Sequence, residues 1–297
     1  MGDGLLHFIF YPHAGSGNAK IAVEIVQKRM AAEKLPYCIL TADKPVQAYE
    51  FAKKAALENS SGVIAIGGDG TMSEVAAALA GTGVPVGLIP AGNGNDFYYS
   101  LKGIDPRFSP ELVNSALNDV LSGKTKPVDL IKINETYSVN IASTGLDAEI
   151  VIYAEKIKNI FRRNSYTVAA FVRTLLLKRA RLRLTVDGEK MDDHYTLIAI
   201  ANGSRYGGRF LISPNSKIND GTIDVCIVGK MPRIRILFLL TKVFTGDHLG
   251  FKAVKMLSCK KIRIEYDGTR KINIDGNLLD VADGIDCEIL PSALNMF

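Results

Sequence analysis

The sequence predicts a two-part chain, an α/β first part on a parallel sheet and an antiparallel β second part. Two observations predict this. Apolar runs alternate with amphipathic stretches as far as about residue 130, and beyond it period-2 segments separated by Asp-Gly pairs take over. At 297 residues, 47% hydrophobic and 23% charged, the chain is long enough and apolar enough for two domains with real cores.

In the first part, Leu5–Tyr11, Tyr37–Thr41, Gly62–Ile66 and Val84–Pro90 read as buried strands. Lys20–Lys34, Val46–Glu58 and Thr71–Leu79 carry helical spacing and are rich in alanine. The order βαβαβαβ is that of a parallel sheet with helices on both faces. In the second part, strands are expected at Leu182–Val186, Thr196–Ala201, Thr222–Val228, Lys261–Tyr266 and Lys271–Asp275. Turns are expected at Asp187-Gly188, Asp220-Gly221 and Asp267-Gly268. Two helical stretches interrupt the strands: Asp147–Lys178, broken near Asn164, and Arg233–Phe244. The expected boundaries are residues 1–130 plus about 288–297 for the first domain and 131–287 for the second.

Charge divides unequally. Residues 1–130 hold 11 Lys+Arg and 13 Asp+Glu, whereas residues 131–297 hold 25 and 18. The basic excess of the second part suggests an anionic partner there. Its basic residues interleave with apolar ones at 153–183 (Lys156, Lys158, Arg162, Arg163, Arg173, Lys178, Arg179, Arg181, Arg183) and again at Arg233–Lys242. Such a stretch lies on anionic headgroups or packs its apolar side inward and solvates its basic edge. No nucleic-acid-binding module is present, so nucleic acid is not expected as a partner.

No apolar run approaches the roughly 20 residues of a membrane span. Secretion is not expected, because no basic patch precedes the first apolar stretch. Leu6 occupies the position where a myristoylation site at Gly2 needs Ser or Thr. Cys38, Cys226, Cys259 and Cys287 are scattered, as are the four histidines, so reduced thiols of a cytoplasmic protein are expected rather than a zinc site.

Each glycine-rich segment of the first part follows a strand: Gly15-Ser16-Gly17, Gly67-Gly68-Asp69-Gly70-Thr71, and Gly92-Asn93-Gly94-Asn95-Asp96. Ligands of parallel α/β sheets bind at the carboxyl ends of strands, where these loops fall. Glycines let main chain approach phosphate oxygens, and a helix N-terminus offers N–H groups to an anion. An acidic residue beside phosphate calls for a divalent cation, so Asp69 implies magnesium. The same residues also suit a tight turn, with Asp69 or Thr71 as a helix cap and Asn95-Asp96 as another. Neither a Walker A loop nor the dinucleotide fingerprint occurs.

The GGDGT run, with PAGNGNDF 23 residues after its start, resembles the catalytic domain of diacylglycerol kinases, sphingosine kinases and bacterial lipid-kinase relatives. The likeness extends through Pro12–Gly17, Pro127-Val128-Asp129, Asn140–Asp147, Asn219–Asp224, Asp275-Gly276 and Ile289–Leu294. It implies an N-terminal α/β nucleotide-binding domain and a C-terminal antiparallel β-sandwich domain, with the active site in the cleft between them. It implies an ATP- and Mg²⁺-dependent kinase of a lipid alcohol such as diacylglycerol, cytoplasmic, peripherally membrane-associated, with a homodimer allowed.

The implied roles follow position by position. Asp69 organises magnesium and triphosphate beside Gly67, Gly68, Gly70 and Thr71. Gly15, Ser16 and Gly17 form the first phosphate loop, and Gly92, Gly94, Asn95 and Asp96 line the opposite side. Asp129 supports the catalytic network, and Asp275 is the general base. Asp220 with the carbonyl of Thr222 is part of a structural metal site. The chain departs from the family at Tyr11 (usually Asn), Asn93 (usually Thr), Asn277 (usually Glu) and Lys217 (usually acidic). Two other readings stand beside the kinase: a nucleotide- or lipid-binding regulator of the same fold, and an NAD kinase, which shares GGDGT but expects an Asn-Glu pair in the second loop.

Overall fold

The computed structural model describes residues 4–161, 165–177 and 179–297. Gly2, Arg162, Arg163, Asn164 and Lys178 lie outside the described residues, as does the side chain of Lys158. Two compact units emerge, one comprising Met1–Leu130, Ile218–Gly221 and Leu290–Phe297, the other Ile131–Lys217 and Thr222–Ile289.

The first unit runs β1 (Leu6–Phe10), α1 (Asn18–Glu33), β2 (Tyr37–Thr41), α2 (Gln47–Leu57), β3 (Gly62–Gly67), α3 (Asp69–Leu79), β4 (Pro85–Pro90), α4 (Asp96–Lys102) and α5 (Pro110–Ser122). The strands are parallel in the order β2-β1-β3-β4. Phe8, Ile9, Val63, Ile64, Ala65 and Ile66 are wholly buried, so β1 and β3 read as unbroken apolar runs rather than alternating ones. The helix α5 was absent from the expected elements although its signals are present. Ser109 caps it by accepting from the Leu112 N–H, Pro110 opens it, and Gly123 ends it at φ 69°.

The strand β5 (Lys126–Ile133) leads into the second unit. There follow β6 (Thr136–Ser138), β7 (Ile141–Gly145), α6 (Leu146–Phe161), α7 (Ser165–Leu175), β8 (Ala180–Val186), β9 (Glu189–Tyr195), β10 (Leu197–Ala201), β11 (Ile223–Val228), α8 (Arg233–Lys242), β12 (Val254–Cys259), β13 (Lys261–Glu265), β14 (Thr269–Ile274), β15 (Asn277–Ala282) and β16 (Ile285–Met296). One antiparallel sheet has the order β12-β11-β10-β7-β14-β15. The beginning of β16 pairs antiparallel with β13, followed by β8 and β9. The end of β16 lies in the first unit, parallel to β4.

Alternation along β10 explains why its sequence is apolar throughout. Ile198 and Ile200 enter the core between the two sheets, with Val225, Ile227, Ile262, Ile264 and Ile272. Ala199 and Ala201 face the other way, under α6 and α8, with Ile150, Ile236 and Leu239. Both faces of this strand are therefore covered. The four cysteines are free thiols, three of them buried.

The first unit is assembled from three stretches of chain, and Asp129 clasps them. Its Oδ2 accepts from the Gly221 N–H at 2.7 Å and its Oδ1 from the Ser292 N–H at 2.7 Å. Its own N–H donates to the Ile218 carbonyl at 2.7 Å. Asp129→Ala strands two inward N–H groups and is expected to cost about 2–5 kcal/mol in urea unfolding. A variant that unfolds like the wild type would refute the clasp.

Candidate active site

Three loops meet at the strand ends of the first unit. The loop after β1 folds into a short 3-10 turn in which Gly15 (φ 59°, ψ 33°) and Ser16 (φ 58°, ψ 31°) are left-handed, and Gly17 at φ 103° begins α1. A Cβ on Gly15 would lie 1.8 Å from the Ala91 carbonyl oxygen, so this loop is in main-chain contact with the one after β4. The family-divergent Tyr11 anchors it from behind. Its hydroxyl donates to Glu74 on α3 at 2.7 Å and contacts the Lys44 carbonyl at 3.1 Å. Burial and the Glu74 carboxylate push that phenol up to about 12.

The GGDGT loop and the loop after β4 touch without side chains between them. A Cβ on Gly92 would stand 2.3 Å from the Gly68 Cα. The Ala91 N–H donates to the Gly67 carbonyl at 2.8 Å, extending the β3–β4 pairing to this point. The expected helix start at Thr71 lies two residues too late: α3 begins at Asp69 with Gly68 as its N-cap. This shift sets the role of Asp69. Neither Asp69 nor Thr71 caps α3. The Asp69 carboxylate instead accepts from the Phe97 N–H at 2.8 Å and the Asp96 N–H at 3.1 Å, holding the start of α4. Burial pushes this carboxyl above its ordinary range, against the pull of the main-chain N–H groups.

Asn95, buried and left-handed at φ 56°, keeps the second loop closed. Its side chain accepts from the Gly92 N–H at 2.8 Å and donates to the carbonyls of Gly92 and Pro106, each at 3.0 Å. Asp96, next to it in sequence, and Thr71 are also buried, and Gly94 is half-buried. Cβ atoms built on Gly17 and Gly70 would meet nothing within 4 Å. Packing does not demand glycine at these two positions, and they leave the loop main chain open to a ligand.

In the second unit Asp275 and Gly276 (φ 48° and 92°) form the two-residue turn between β14 and β15. The Asp275 carboxylate is buried and turned onto residues 138–141. It accepts from Ser138 Oγ at 2.8 Å and from the N–H groups of Val139 (2.8 Å), Asn140 (3.1 Å) and Ile141 (2.9 Å). Asn277 stands exposed at the start of β15.

Asp147, which sequence reasoning left without a role, braces the same turn from behind. It accepts from Ser143 Oγ and from Asn273 Nδ2 at 3.0 Å, while Asn273 Oδ1 takes the Gly276 N–H at 3.0 Å. Asn273 sits opposite Ser143 in the β14–β7 register, a cross-strand neighbour no spacing rule could reveal.

Asp220 has an exposed side chain, and Thr222 begins the return into the second unit. Among the described residues no group of three or more His, Cys, Asp and Glu side chains gathers as a metal-ion cage.

A parallel α/β unit with three glycine loops at its strand ends, followed in the chain by an antiparallel two-sheet unit, defines a phosphotransferase-like class. Comparison with known proteins names the family. The diacylglycerol kinase catalytic domain profile matches residues 5–133. The YegS C-terminal NAD kinase beta sandwich-like domain matches residues 140–297. The chain belongs to the diacylglycerol kinase catalytic-domain family, in the group carrying the YegS-type second domain.

Among its relatives, a diacylglycerol kinase of Mycobacterium tuberculosis is 29% identical, over 82% of this chain and 78% of the relative. A diacylglycerol kinase of Bacillus subtilis is 28% identical, over 76% of this chain and 74% of the relative. The crystal structure of a diacylglycerol kinase from Bacillus anthracis str. Sterne has the same fold, with TM-score 0.72 at 22% identity over 99% of this chain and 96% of that one.

Two expected outcomes test the geometry. Gly92→Ala, whose methyl meets Gly68 main chain rather than a yielding side chain, should lower stability by about 1–3 kcal/mol in urea unfolding. An unchanged midpoint would contradict the loop contact. The second outcome concerns pH. Burial holds the Asp147 carboxyl above its ordinary value despite its hydrogen bonds to Ser143, Asn273 and Tyr206. A raised carboxyl binds its proton more tightly in the folded state. Its contribution is therefore largest below the unfolded value and falls as pH rises through the folded one. Wild-type stability should decline relative to Asp147→Asn as pH rises above the ordinary carboxylate range; parallel curves would exclude the effect.

Proposed function

We propose that the chain is an ATP- and Mg²⁺-dependent lipid kinase that phosphorylates the hydroxyl of diacylglycerol or a related lipid alcohol. The observation that carries this reading is the packed pair of strand-end loops, joined at Gly68 and Gly92 and crossed by the Asp69 carboxylate. Phosphoryl transfer asks little covalent chemistry of a protein; it needs aligned reactants and compensated charge. The open main chain at Gly17 and Gly70, with the start of α3, offers N–H groups to phosphate oxygens. Asn95 and Asp96 fix the facing loop, so the phosphates meet a preformed surface.

Mg²⁺ takes one or two carboxylates and fills its remaining positions with phosphate oxygens and water, so a cage of three acidic side chains is not required. Asp69 fits that need. Its carboxylate is held in place by main-chain donors, and burial disfavours its charge until a cation compensates it. When bound, the cation supplies neutralisation of the phosphate oxygens. Asp220 and the Thr222 carbonyl are assigned a lesser, structural metal role in the same reading.

On the acceptor side, Asp275 is assigned the proton from the attacking hydroxyl, with Asp147 and Asn273 holding its turn. Four donors occupy its carboxylate oxygens and fix its orientation. A firmly placed acceptor is adequate where the transition state is loose and the hydroxyl proton leaves late. Asp129 acts through the clasp it makes behind the first unit.

The same four hydrogen bonds, with Asn277 in the usual place of Glu, favour a second reading. In it, the chain binds nucleotide or lipid without turning it over, and Asp275 only shapes the 138–141 segment.

Incubation with radiolabelled ATP, Mg²⁺ and either diacylglycerol micelles or NAD separates the readings. Label in a chloroform-soluble product is expected. Asp69→Ala should remove transfer, and Asp275→Asn should lower the maximal rate at least about 100-fold while ATP still raises the melting temperature. Label in NADP would replace lipid by NAD as acceptor. ATP-dependent stabilisation without transfer to either would establish the binding protein.

A further inference from the structure

The exposed apolar side chains of this molecule are concentrated. Of fifteen large exposed hydrophobics among the described residues, nine fall on α6, α7, α8 and their ends. All four exposed phenylalanines are there: Phe161, Phe171, Phe238 and Phe244. On α7, Phe171 and Leu175 are four residues apart and share a face; on α8, Ile234 and Phe238 do the same. Their exposures are 53%, 46%, 73% and 57%. The opposite side of α8, at Ile236 and Leu239, is the buried one. The apolar character of the outward side is thus additional to what the core uses.

The two helices form one surface. They pack against each other, and two arginines tie their facing ends. Arg233 donates to the Leu177 carbonyl at 2.9 Å, and Arg179 donates to the Met231 carbonyl.

Charge identifies what covers this surface. Residues 229–246, which include α8, contain four Lys+Arg and no acidic residue. Lys230 and Arg235 are exposed beside the apolar row of α8, and the Lys242 ammonium lies 5.7 Å from the Phe238 ring. Exposed aromatic and aliphatic side chains rimmed by cations match a bilayer, whose acyl boundary takes the apolar groups while anionic headgroups take the charge. No described helix is long and apolar enough to cross the bilayer, so the contact is made at its surface.

We propose that the outward face of α7 and α8 docks on an anionic phospholipid bilayer, with Phe171, Leu175, Ile234 and Phe238 entering the headgroup region and Lys230 and Arg235 pairing with lipid phosphates. The surface stands on its own residues; its use in presenting a lipid alcohol to the enzyme rests on the kinase reading.

The test is flotation of the full chain with phosphatidylcholine vesicles, with and without about 30% phosphatidylglycerol, at about 0.05 and about 0.5 M salt. The wild type should partition onto the anionic vesicles and lose binding in high salt. The combined variant Phe171→Ser, Leu175→Ser, Ile234→Ser, Phe238→Ser should bind at least about tenfold more weakly, and so should Lys230→Glu with Arg235→Glu. Neither variant touches the proposed catalytic machinery. Both should keep the wild-type melting temperature and the wild-type rate on a short-chain, monomeric diacylglycerol.

Variants that bind vesicles like the wild type overturn the proposal. A wild type that ignores vesicles but sediments as a dimer, broken by the serine variant, also overturns it and makes a second copy the occupant. Failure of the kinase reading looks different. Vesicle binding sensitive to these variants, with no phosphate transfer to any lipid, supports the surface and removes the kinase. Transfer to the short-chain acceptor without vesicle binding does the reverse.

Discussion

Two main-chain N–H groups at the start of one helix are satisfied by a carboxylate at the start of another. Asp69 opens α3, yet its oxygens are given to Asp96 and Phe97 at the head of α4. An N-terminus leaves its first N–H groups without helical partners, and here a residue 27 positions earlier takes two of them. The exchange works only because Gly68 and Gly92 bring the loops into main-chain contact. A side chain at Gly92 would collide with Gly68 main chain and with the Asn95 side chain that closes the second loop. Both helix starts favour negative charge on Asp69, while burial opposes it. The result is a fixed acidic group among main-chain donors suited to phosphate. Those two features are compatible when a cation and a polyphosphate arrive together.

Carboxylates recur as braces of loop main chain elsewhere. Asp129 gathers Gly221 and Ser292, Asp187 gathers the N–H groups of Lys260 and Lys261, and Asp275 gathers three N–H groups and a hydroxyl. Loops at strand ends carry donors that no ladder satisfies, and a short acidic side chain reaches several of them at once. Asp187 and Asp275 also sit at φ 46° and 48°, followed by glycine, so one residue makes the hairpin and ties its tip. A turn and a functional carboxylate are therefore compatible uses of a single Asp-Gly pair.

The parallel-sheet half was legible because wholly buried strands leave unbroken apolar runs and its loops are marked by glycine. Tyr37–Thr41 coincides with β2, and the helices differ from expectation by one or two residues at their ends. The hairpin at Asp275 was legible for the same reason, as its turn chemistry is local. The strands β5, β6, β7, β9, β12, β15 and β16 were not read. β9 is an edge strand of polar and charged residues, and Ile141–Gly145 is too small and polar to show an alternating pattern. What Asp69, Asp129 and Asp275 hold was also out of reach. Their donors lie 27 to 163 residues away, and sequence spacing carries no information about which loop tips meet.

The resemblance supplied residue positions, while the geometry supplies their physical burden. Asp275 was expected as a base, and four donors already occupy its carboxylate oxygens. For acyl transfer, where proton removal must precede or accompany attack, such a group would be poorly matched. Phosphoryl transfer relaxes the demand, because bond cleavage to the leaving group runs ahead of attack and the hydroxyl becomes strongly acidic only as the new bond forms. Rigid placement then counts for more than basicity, and the Asp147–Asn273–Gly276 chain behind the turn provides it. Asn277 points to the same division of labour. It is exposed at the start of β15 and makes no contribution to the brace described, so its change from the usual Glu leaves the Asp275 turn intact.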